Sequence, residues 1–568
     1  MLDVTRIPLD PLFALLPKTH PQTEKDILLG LATIGFVQLL LATPYTPGWR
    51  LFRAAVGAPI ACGLFGWVIV AAVDVYDINQ WGVAILSASF IFKVFEYFLF
   101  FPPEEHCHRL VPRSSSRSTK SSGHSNGDTP TSKLKARSED TTSVGVNETQ
   151  EEEALVPEPV PAGFTWAKLC WAASLWFSYR GIGWNYVCPL PRSAYQPPCT
   201  RQSSRKAFLI KQLKMWVFGY LVDDFFRAYR NCSSAAPFFS GLPGIAPPYS
   251  SLTQYERAIY SIAVVVRVWF GLINSHIGWS MGMVILGGIL GWETEMFAPW
   301  GWPPLFGGLV ELWKHPGLST MWSRTWQGYN RRWLYVLGWI GIGENILGFT
   351  HTGISSHPTI PPKAPSDLTS STAVNTPHPS GHVSPSHPLP TTPPKLPTKR
   401  MSTKLMLQNL VKSFVVFTLS GLHHDVGSLA CLIKNHPPGA PIYTHHLFRL
   451  TPFFVLQPVG LTIEALVKTL WRSWKAKAHP EWKKTPTPTP TSSSDSSPKS
   501  SNALGGGEPA WLIRTERILG FAWTWIWLGW TARWFVEGMA QLGNYRRGEG
   551  REEFWSLFGG LSYGKWYI

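Results

Sequence analysis

Two histidines and an aspartate lie in the middle of a long apolar stretch, FVVFTLSGLHHDVGSLA, at residues 414–430. An ionisable side chain inside an apolar span costs at least ~2.5–3.5 kcal/mol on insertion scales, so such residues are functional candidates by default. On a helix, residues three and four positions apart share a face. The neighbours of His424 on that face are all small: Ser420, Gly421, Gly427 and Ser428.

Small neighbours around His424 leave room for a substrate, and a neutral imidazole can accept a proton as a general base. We therefore predict His424 as the catalytic residue, with Ser420, His423 and Asp425 as binding residues around it. Asp425 points to a different face, which makes it a weak candidate for fixing the imidazole tautomer. The alternative is that the small residues allow close helix packing and that the histidines hydrogen-bond to neighbouring helices.

A second polar island is PPLFGGLVELWKHPGLSTMWSRTWQGYNRRW, at residues 303–333. Its candidate substrate- or donor-binding residues are Trp322, Arg324, Trp326 and Gln327. Arginine beside tryptophan can make cation–π contacts, and basic groups near a membrane face can hold phosphate. The alternative is an interfacial anchor of aromatic and basic residues, which needs no ligand.

A third island is SYRGIGWNY, at residues 178–186, whose glycines allow a sharp turn beside Trp184 and Asn185. Other ionisable residues within apolar segments could pair with one another or line a cavity. They are Lys93, Glu96, Asp223, Asp224, Arg267 and Glu344.

The elements that carry these islands are predicted to be membrane-spanning helices. Of 568 residues, 45% are hydrophobic and only 15% are charged, and the apolar residues form blocks close to the ~20 residues that cross a bilayer as a helix. We predict an all-α polytopic membrane protein with about eight to ten transmembrane helices. The candidate spans are residues 27–43, 51–73, 82–101, 208–226, 258–274, 278–292, 334–350, 405–432, 448–470 and 518–535.

Charge and cysteine content exclude other classes of function. The net charge of +16 falls largely in hydrophilic connections, which suits positive-inside loops facing anionic lipid better than a nucleic-acid surface. The seven cysteines form no CxxC pair and no cluster at zinc spacing. We expect the lipid bilayer as a partner, no nucleic acid and no metal site.

Three Ser-, Thr- and Pro-rich segments have too few apolar residues to build a core and are predicted to be disordered. They divide the chain into N-terminal transmembrane helices, a core in two parts and a C-terminal transmembrane helix with its tail. The predicted boundaries are 1–101, loop 102–161, core 162–354, insert 355–399, core with the catalytic histidine 400–484, loop 485–507 and C-terminal part 508–568.

Taken in order, these islands resemble the fungal branch of the wax synthase-like family, within the wider group of membrane-bound O-acyltransferases. RGIGWNY at 180–186 is similar to that branch's RGIGWNW, and PPLFG with MWSRTWQ resembles the family's PPLFG and FWGRRWHQ. SGLHHD at 420–425 resembles SGxxH, with His424 on the family's catalytic histidine. QPVGLTIE at 457–464 also fits the branch. The chain departs from the family where Gln327 replaces a histidine and Thr325 an arginine, which puts a two-histidine mechanism in doubt.

The resemblance implies transfer of an acyl group from acyl-CoA, with acetyl-CoA favoured, to a hydroxyl of a lipophilic alcohol such as a terpenoid or other secondary metabolite. No bound cofactor is expected, because acyl-CoA is a co-substrate. The implied location is a multi-pass protein of the endoplasmic reticulum membrane. The alternatives are a long-chain wax-ester synthase, or a non-enzymatic membrane transporter or scaffold.

Overall fold

The computed structural model describes residues 9–73, 77–112, 155–186, 201, 203–234, 236–239, 249–350, 402–435, 447–480, 508–541 and 555–567. The predicted disordered segments 355–399 and 485–507 lie outside these ranges, as does most of 102–161.

Long helices account for most of the described chain, and the confirmed fold class is all-α. The helices of twelve residues or more are α1 Glu24–Ala42, α2 Ala58–Val70, α3 Asp77–Val94, α4 Trp166–Phe177, α5 Arg205–Cys232, α6 Gln254–Leu290, the π-helix α7 Leu334–Ile346, α8 Thr403–Asn435, α9 Gln457–Ala478 and α10 Ala510–Gln541.

Shorter elements connect or extend these helices. The short α-helices are Asp10–Phe13, Pro47–Phe52, Pro103–His106, Ala236–Phe239, Leu309–Lys314, Leu318–Thr320, Arg331–Trp333, Thr451–Val455 and Leu557–Tyr563. The π-helical turns are Arg53–Gly57, Phe95–Phe100 and Met321–Thr325, and the 3-10 turns are Tyr249–Ser251 and Pro299–Gly301. Strand β1 (His20–Pro21) pairs in parallel with β2 (Ala72–Val73), and β3 (Leu110–Pro112) pairs antiparallel with β4 (Leu155–Pro157).

Six of the described helical stretches are long and apolar enough to cross a membrane, fewer than the eight to ten predicted. They are Glu24–Ala42, Pro47–Val70, Asn79–Phe100, Gln254–Leu290, Thr403–Lys434 and Thr451–Ala478. Three further predicted spans, at 208–226, 334–350 and 518–535, are helical but fall outside this set. Helix α7 is short, and α5 is amphipathic, with charged side chains along its length.

Helix α6 merges two predicted spans, 258–274 and 278–292, into one helix of 37 residues. Thr253 caps its start, because the Thr253 hydroxyl accepts from the Glu256 amide at 3.2 Å and the Glu256 carboxylate accepts from the Thr253 amide at 2.7 Å. Gly291, at φ 68°, ends it in the left-handed conformation. The intervening glycines do not break the helix, so the two predicted spans were wrongly separated.

The predicted disordered segment 102–161 is ordered at both ends, which corrects that prediction. Helix Pro103–His106 and strand β3 follow α3, and β4 returns antiparallel to β3. An isolated bridge joins Arg109 to Trp184 in the third polar island. Backbone pairing therefore gives these residues an ordered structure, whereas side-chain composition alone predicted disorder.

Helix α8, which carries both histidines, lies at the centre of the helix packing. It packs against α3, α7 and α9 and against the short helix Thr451–Val455. Helix α6 packs along α5 and also contacts α10. The histidine pair is thus enclosed by helices distant in sequence.

Four of the six ionisable residues noted in apolar segments, Glu96, Asp223, Arg267 and Glu344, form ion pairs, which the sequence left open. Glu96 accepts from Arg332 at 2.7 Å, and Glu344 accepts from Lys412 at 2.7 Å. Asp223 pairs with Arg267 at 3.1 Å, and also with Arg227 one turn along α5. Pairing offsets the cost of burying charge.

Lys93 and Asp224 are buried, and neither forms an ion pair of this kind with another residue that the structure describes. The Lys93 ammonium donates to the Trp176 carbonyl and lies 4.2 Å from the centre of the Tyr179 ring. Asp224 accepts from the Phe558 amide at 3.0 Å, which attaches the C-terminal helix Leu557–Tyr563 to α5.

Candidate active site

His424 presents one free ring nitrogen in a half-buried position on α8. Its Nδ1 lies 2.6 Å from the Ser420 carbonyl oxygen one turn earlier. Because a carbonyl can only accept, Nδ1 carries the proton and Nε2 keeps a lone pair. Within the described part of the chain, Nε2 has no hydrogen-bond partner. The imidazole is therefore held in the tautomer that a general base at Nε2 requires.

Aromatic rings surround the His424 imidazole. Its ring centre lies 4.5 Å from that of Phe454, 6.0 Å from that of Trp81 and 6.3 Å from that of Phe535. These residues come from the Thr451–Val455 helix, α3 and α10 respectively. We call these three rings the aromatic enclosure. None of them was predicted, because each becomes a neighbour of His424 only through helix packing.

His423 is locked into the helix packing, although it is adjacent to His424. It is fully buried, and its Nε2 lies 2.8 Å from the Ser89 hydroxyl and 3.1 Å from the Ile85 carbonyl of α3. The ring also packs 4.9 Å from Trp333. Hydrogen bonds to a neighbouring helix are the alternative considered from the sequence, and that alternative describes His423.

The small residues beside His424 are partly used for packing, which corrects the expectation that they leave open space. A Cβ added to Gly421 would lie 2.8 Å from the Thr451 Cα atom, and one added to Gly427 would lie 2.5 Å from Trp81. Close helix approach therefore explains both glycines. Ser420 contributes its carbonyl oxygen to His424.

Asp425 fixes the chain that leads into the next helix. Its carboxylate accepts from the amides of Leu450 at 2.8 Å and Thr451 at 3.0 Å, and from the Thr451 hydroxyl at 2.5 Å. It thereby binds free amides at the start of the Thr451–Val455 helix. The tautomer of His424 is set by the Ser420 carbonyl, so Asp425 does not have the orienting role considered from the sequence.

Trp322 and Trp326 belong to the aromatic core that leads to His424. The Trp322 indole donates to the Gln457 side-chain oxygen at 3.3 Å, and its ring lies 6.2 Å from that of Phe453. Phe453 in turn lies 5.0 Å from Phe454, which contacts His424. Trp326 packs 6.2 Å from Trp322. The tryptophans of the second island are thus joined to the histidine through two phenylalanines.

Arg324 and Gln327 do not contact His424. The Arg324 side chain is 45% exposed and lies 3.8 Å from the Glu311 carboxylate. The Gln327 side-chain oxygen accepts from the Tyr329 amide at 2.7 Å and stabilises the local turn. Of the four binding candidates in this island, the structure joins only the two tryptophans to the histidine.

Hydrogen bonds between side chains and backbone groups join the second island to two other sequence motifs. Arg180 of the third island donates to the carbonyls of Pro303 at 2.7 Å and Pro304 at 2.8 Å in the second island. Glu464, in the segment 457–464, accepts from the Leu318 amide of the second island at 2.5 Å. Gly181, at φ 66°, provides the turn that Arg180 needs, and a Cβ there would lie 2.7 Å from Tyr186. The islands therefore form one continuous region of the fold.

A second buried polar pair escaped the sequence analysis. His276, on α6, lies with its Nδ1 2.7 Å from the Tyr329 hydroxyl. Burial raises the pKa of Tyr329 well above its ordinary value, so the phenol keeps its proton and can donate to that nitrogen. A lone histidine within the apolar stretch 258–292 was the available signal. The pair attaches the second island to α6.

Comparison with known proteins finds similarity over part of the chain. It is 27% identical over 190 residues to an acetyltransferase of Arthrobotrys oligospora, which covers 31% of this chain and 34% of the relative. It is 27% identical to the acetyltransferase sirH of Emericella nidulans, over 28% of this chain and 33% of the relative. It is 28% identical to the O-mevalon transferase yanI of Aspergillus niger, over 29% of this chain and 35% of the relative.

The matched region spans about a third of the length of these curated relatives. No family model matches the chain, and no solved structure matches it. What the comparisons establish is a distant relationship to transferases, two of which are named acetyltransferases.

Proposed function

We propose that this chain is a membrane-bound acyltransferase that moves an acyl group, most simply acetyl, from acyl-CoA to a hydroxyl of a lipophilic acceptor. The observation that carries the proposal is the state of His424. Its Nδ1 is bonded to the Ser420 carbonyl while its Nε2 is free beside aromatic rings. The names of the relatives and the resemblance of the islands to wax synthase-like enzymes support the same reaction class.

In the proposed reaction, Nε2 of His424 takes the proton of the acceptor hydroxyl as its oxygen attacks the thioester carbonyl carbon. The carbonyl electron pair moves to oxygen and gives a tetrahedral oxyanion. When that intermediate collapses, the carbon–sulfur bond breaks, and the departing CoA thiolate takes the proton from the imidazolium. The products are the ester and CoA, and His424 returns to its starting state.

The surroundings of His424 suit an apolar acceptor. Aromatic rings offer no hydrogen-bond acceptors to a polar substrate, and they favour contact with hydrocarbon. A terpenoid or other secondary-metabolite alcohol fits this requirement. The six apolar helices support placement in a membrane, which we propose to be that of the endoplasmic reticulum.

The transporter alternative is disfavoured by the ion pairs that several of the buried charges form. A pathway lined by ionisable groups would need them available to a passing ion or substrate. Instead, Glu96 is bonded to Arg332, and Glu344 to Lys412. A wax-ester synthase differs only in the lengths of the acyl and alcohol chains, so the choice of donor in the assay distinguishes it.

The test is to incubate membranes that contain the protein with labelled acetyl-CoA, or with palmitoyl-CoA, together with an extract of lipophilic alcohols. Membranes with the His424→Ala variant at equal abundance are the control. Mass spectrometry should find a product that carries the labelled acetyl group only with the unsubstituted protein and acetyl-CoA. A product formed only from palmitoyl-CoA would indicate a wax-ester synthase, and no product from either donor would contradict the proposal.

A further inference from the structure

Trp81 carries a buried hydrogen-bond donor that the protein leaves unused. Its indole Nε1 is shielded from solvent and has no hydrogen-bond partner in the described part of the chain. Buried N–H groups are nearly always paired, so an unpaired one requires a physical explanation.

The position of this donor relates it to His424. Trp81 lies at the start of α3, and its ring centre is 6.0 Å from that of the His424 imidazole. The pyrrole side of the indole, including Nε1, packs over Gly427, where an added Cβ would lie 2.7 Å from Nε1. Gly427 follows His424 by three residues and so shares its face of α8. The unpaired N–H therefore lies on the same side of α8 as the proposed base.

Other indole N–H groups in the described residues are also buried and unpaired, so the lack of a partner alone does not identify a function. They belong to Trp176, Trp184, Trp333, Trp523 and Trp527. Among the described residues of this set only Trp333 contacts a histidine, and that histidine is His423, which is fully buried and bonded to α3 through Nε2, with its Nδ1 unpaired. Trp81 is distinguished by its contact with His424, the proposed base.

The lack of a side chain at Gly427 allows the Trp81 indole to pack closely against α8. Any larger residue at this position would push the indole away from α8 and from His424. The glycine places a rigid aromatic donor against the helix that carries the base, and the ring has few degrees of freedom once packed. Preorganised donors of this kind are what acyl transfer needs, because negative charge develops on the carbonyl oxygen in the transition state.

We propose that the Trp81 indole N–H donates a hydrogen bond to the oxyanion of the tetrahedral intermediate. This inference rests on the proposed acyl transfer. As the acceptor oxygen bonds to the thioester carbon and its proton goes to His424, the carbonyl electron pair moves onto oxygen beside Trp81. The hydrogen bond strengthens as that charge forms and weakens when the intermediate collapses to ester and CoA thiolate. Trp81 itself is neither protonated nor deprotonated.

The test replaces Trp81 with phenylalanine, which keeps an aromatic ring and removes the donor. Loss of one oxyanion donor lowers kcat by ~10²–10³-fold in enzymes of known mechanism, so a fall of that order is expected with the acyl-CoA KM unchanged within about twofold. Trp523→Phe is the matched control, because it removes an unpaired buried indole N–H on α10 that contacts no histidine among the described residues. This control should keep its kcat.

A second variant covers the case in which phenylalanine disturbs the fold. Benzothienylalanine incorporated at position 81 keeps the two-ring shape and replaces N–H by sulfur, so it should lower kcat as Trp81→Phe does. A kcat within twofold of the unsubstituted protein in this variant would overturn the inference, as would an equal fall in Trp523→Phe. If the unsubstituted protein transfers no acyl group, the proposed function fails; if it does and only position 81 is without effect, the Trp81 inference alone fails.

Discussion

The buried ion pair between Glu96 and Arg332 should be a major contributor to stability. Glu96 follows α3, Arg332 precedes α7, and their Oε1 and Nε atoms are 2.7 Å apart. The Glu96 side chain is fully buried and that of Arg332 is 8% exposed, while the guanidinium stacks 4.4 Å from the Tyr186 ring. Glu96→Gln would leave the arginine charge buried without a counter-charge. We expect a loss of ~3–5 kcal/mol in the free energy of unfolding.

The assay is unfolding of the purified protein in mixed micelles, followed by tryptophan fluorescence. Arg50→Gln is the control, because Arg50 and Glu105 are 3.8 Å apart and about half exposed, and such a pair contributes ~0–1 kcal/mol. The double variant Glu96→Leu with Arg332→Met should recover most of the stability, since no charge is then left unpaired. If Glu96→Gln costs no more than Arg50→Gln, the pair does not hold these helices together.

Three further predictions concern Asp425, Arg324 and the polar segment 485–507. Asp425→Ala should lower the free energy of unfolding by ~1–3 kcal/mol, because it leaves the amides of Leu450 and Thr451 unpaired. It should leave kcat per folded molecule unchanged. A large loss of kcat at normal stability would show that Asp425 has a catalytic role. Arg324→Ala should change stability by ~1 kcal/mol or less, because its contact with Glu311 is exposed, and a steep fall in melting temperature would contradict this. Replacing 485–507 with a Gly/Ser linker should preserve expression and activity, and loss of folded protein would show that the segment packs.

The helical architecture could be predicted because long apolar segments of the length that crosses a bilayer as a helix are visible in the sequence alone. The boundaries of α6 could not be predicted, because they depend on the cap at Thr253 and on the conformation of Gly291. The formation of strands β3 and β4 within a polar segment could not be predicted either. Backbone pairing between residues more than forty positions apart has no local sequence signal.

The choice of His424 as the base remains a prediction, and its environment could not be predicted from the sequence. The structure adds a difference between the two histidines, because Nε2 of His423 is hydrogen-bonded to α3. Trp81 and Phe454 reach His424 only through packing between distant helices, so no spacing rule identifies them. For the same reason the sequence could not show that the space beside Gly421 and Gly427 is occupied by residues of neighbouring helices.

The proposed reaction depends most directly on the difference between the two adjacent histidines. The decisive measurement is kcat per folded molecule for His424→Ala and His423→Ala, each purified in the same detergent and assayed with acetyl-CoA and the acceptor found in membranes. Loss of a general base lowers the rate by ~10²–10⁴-fold, so His424→Ala should fall by that factor while His423→Ala loses mainly stability. Full activity in His424→Ala, or an equal loss of kcat in both variants, would contradict the assignment of His424 as the base.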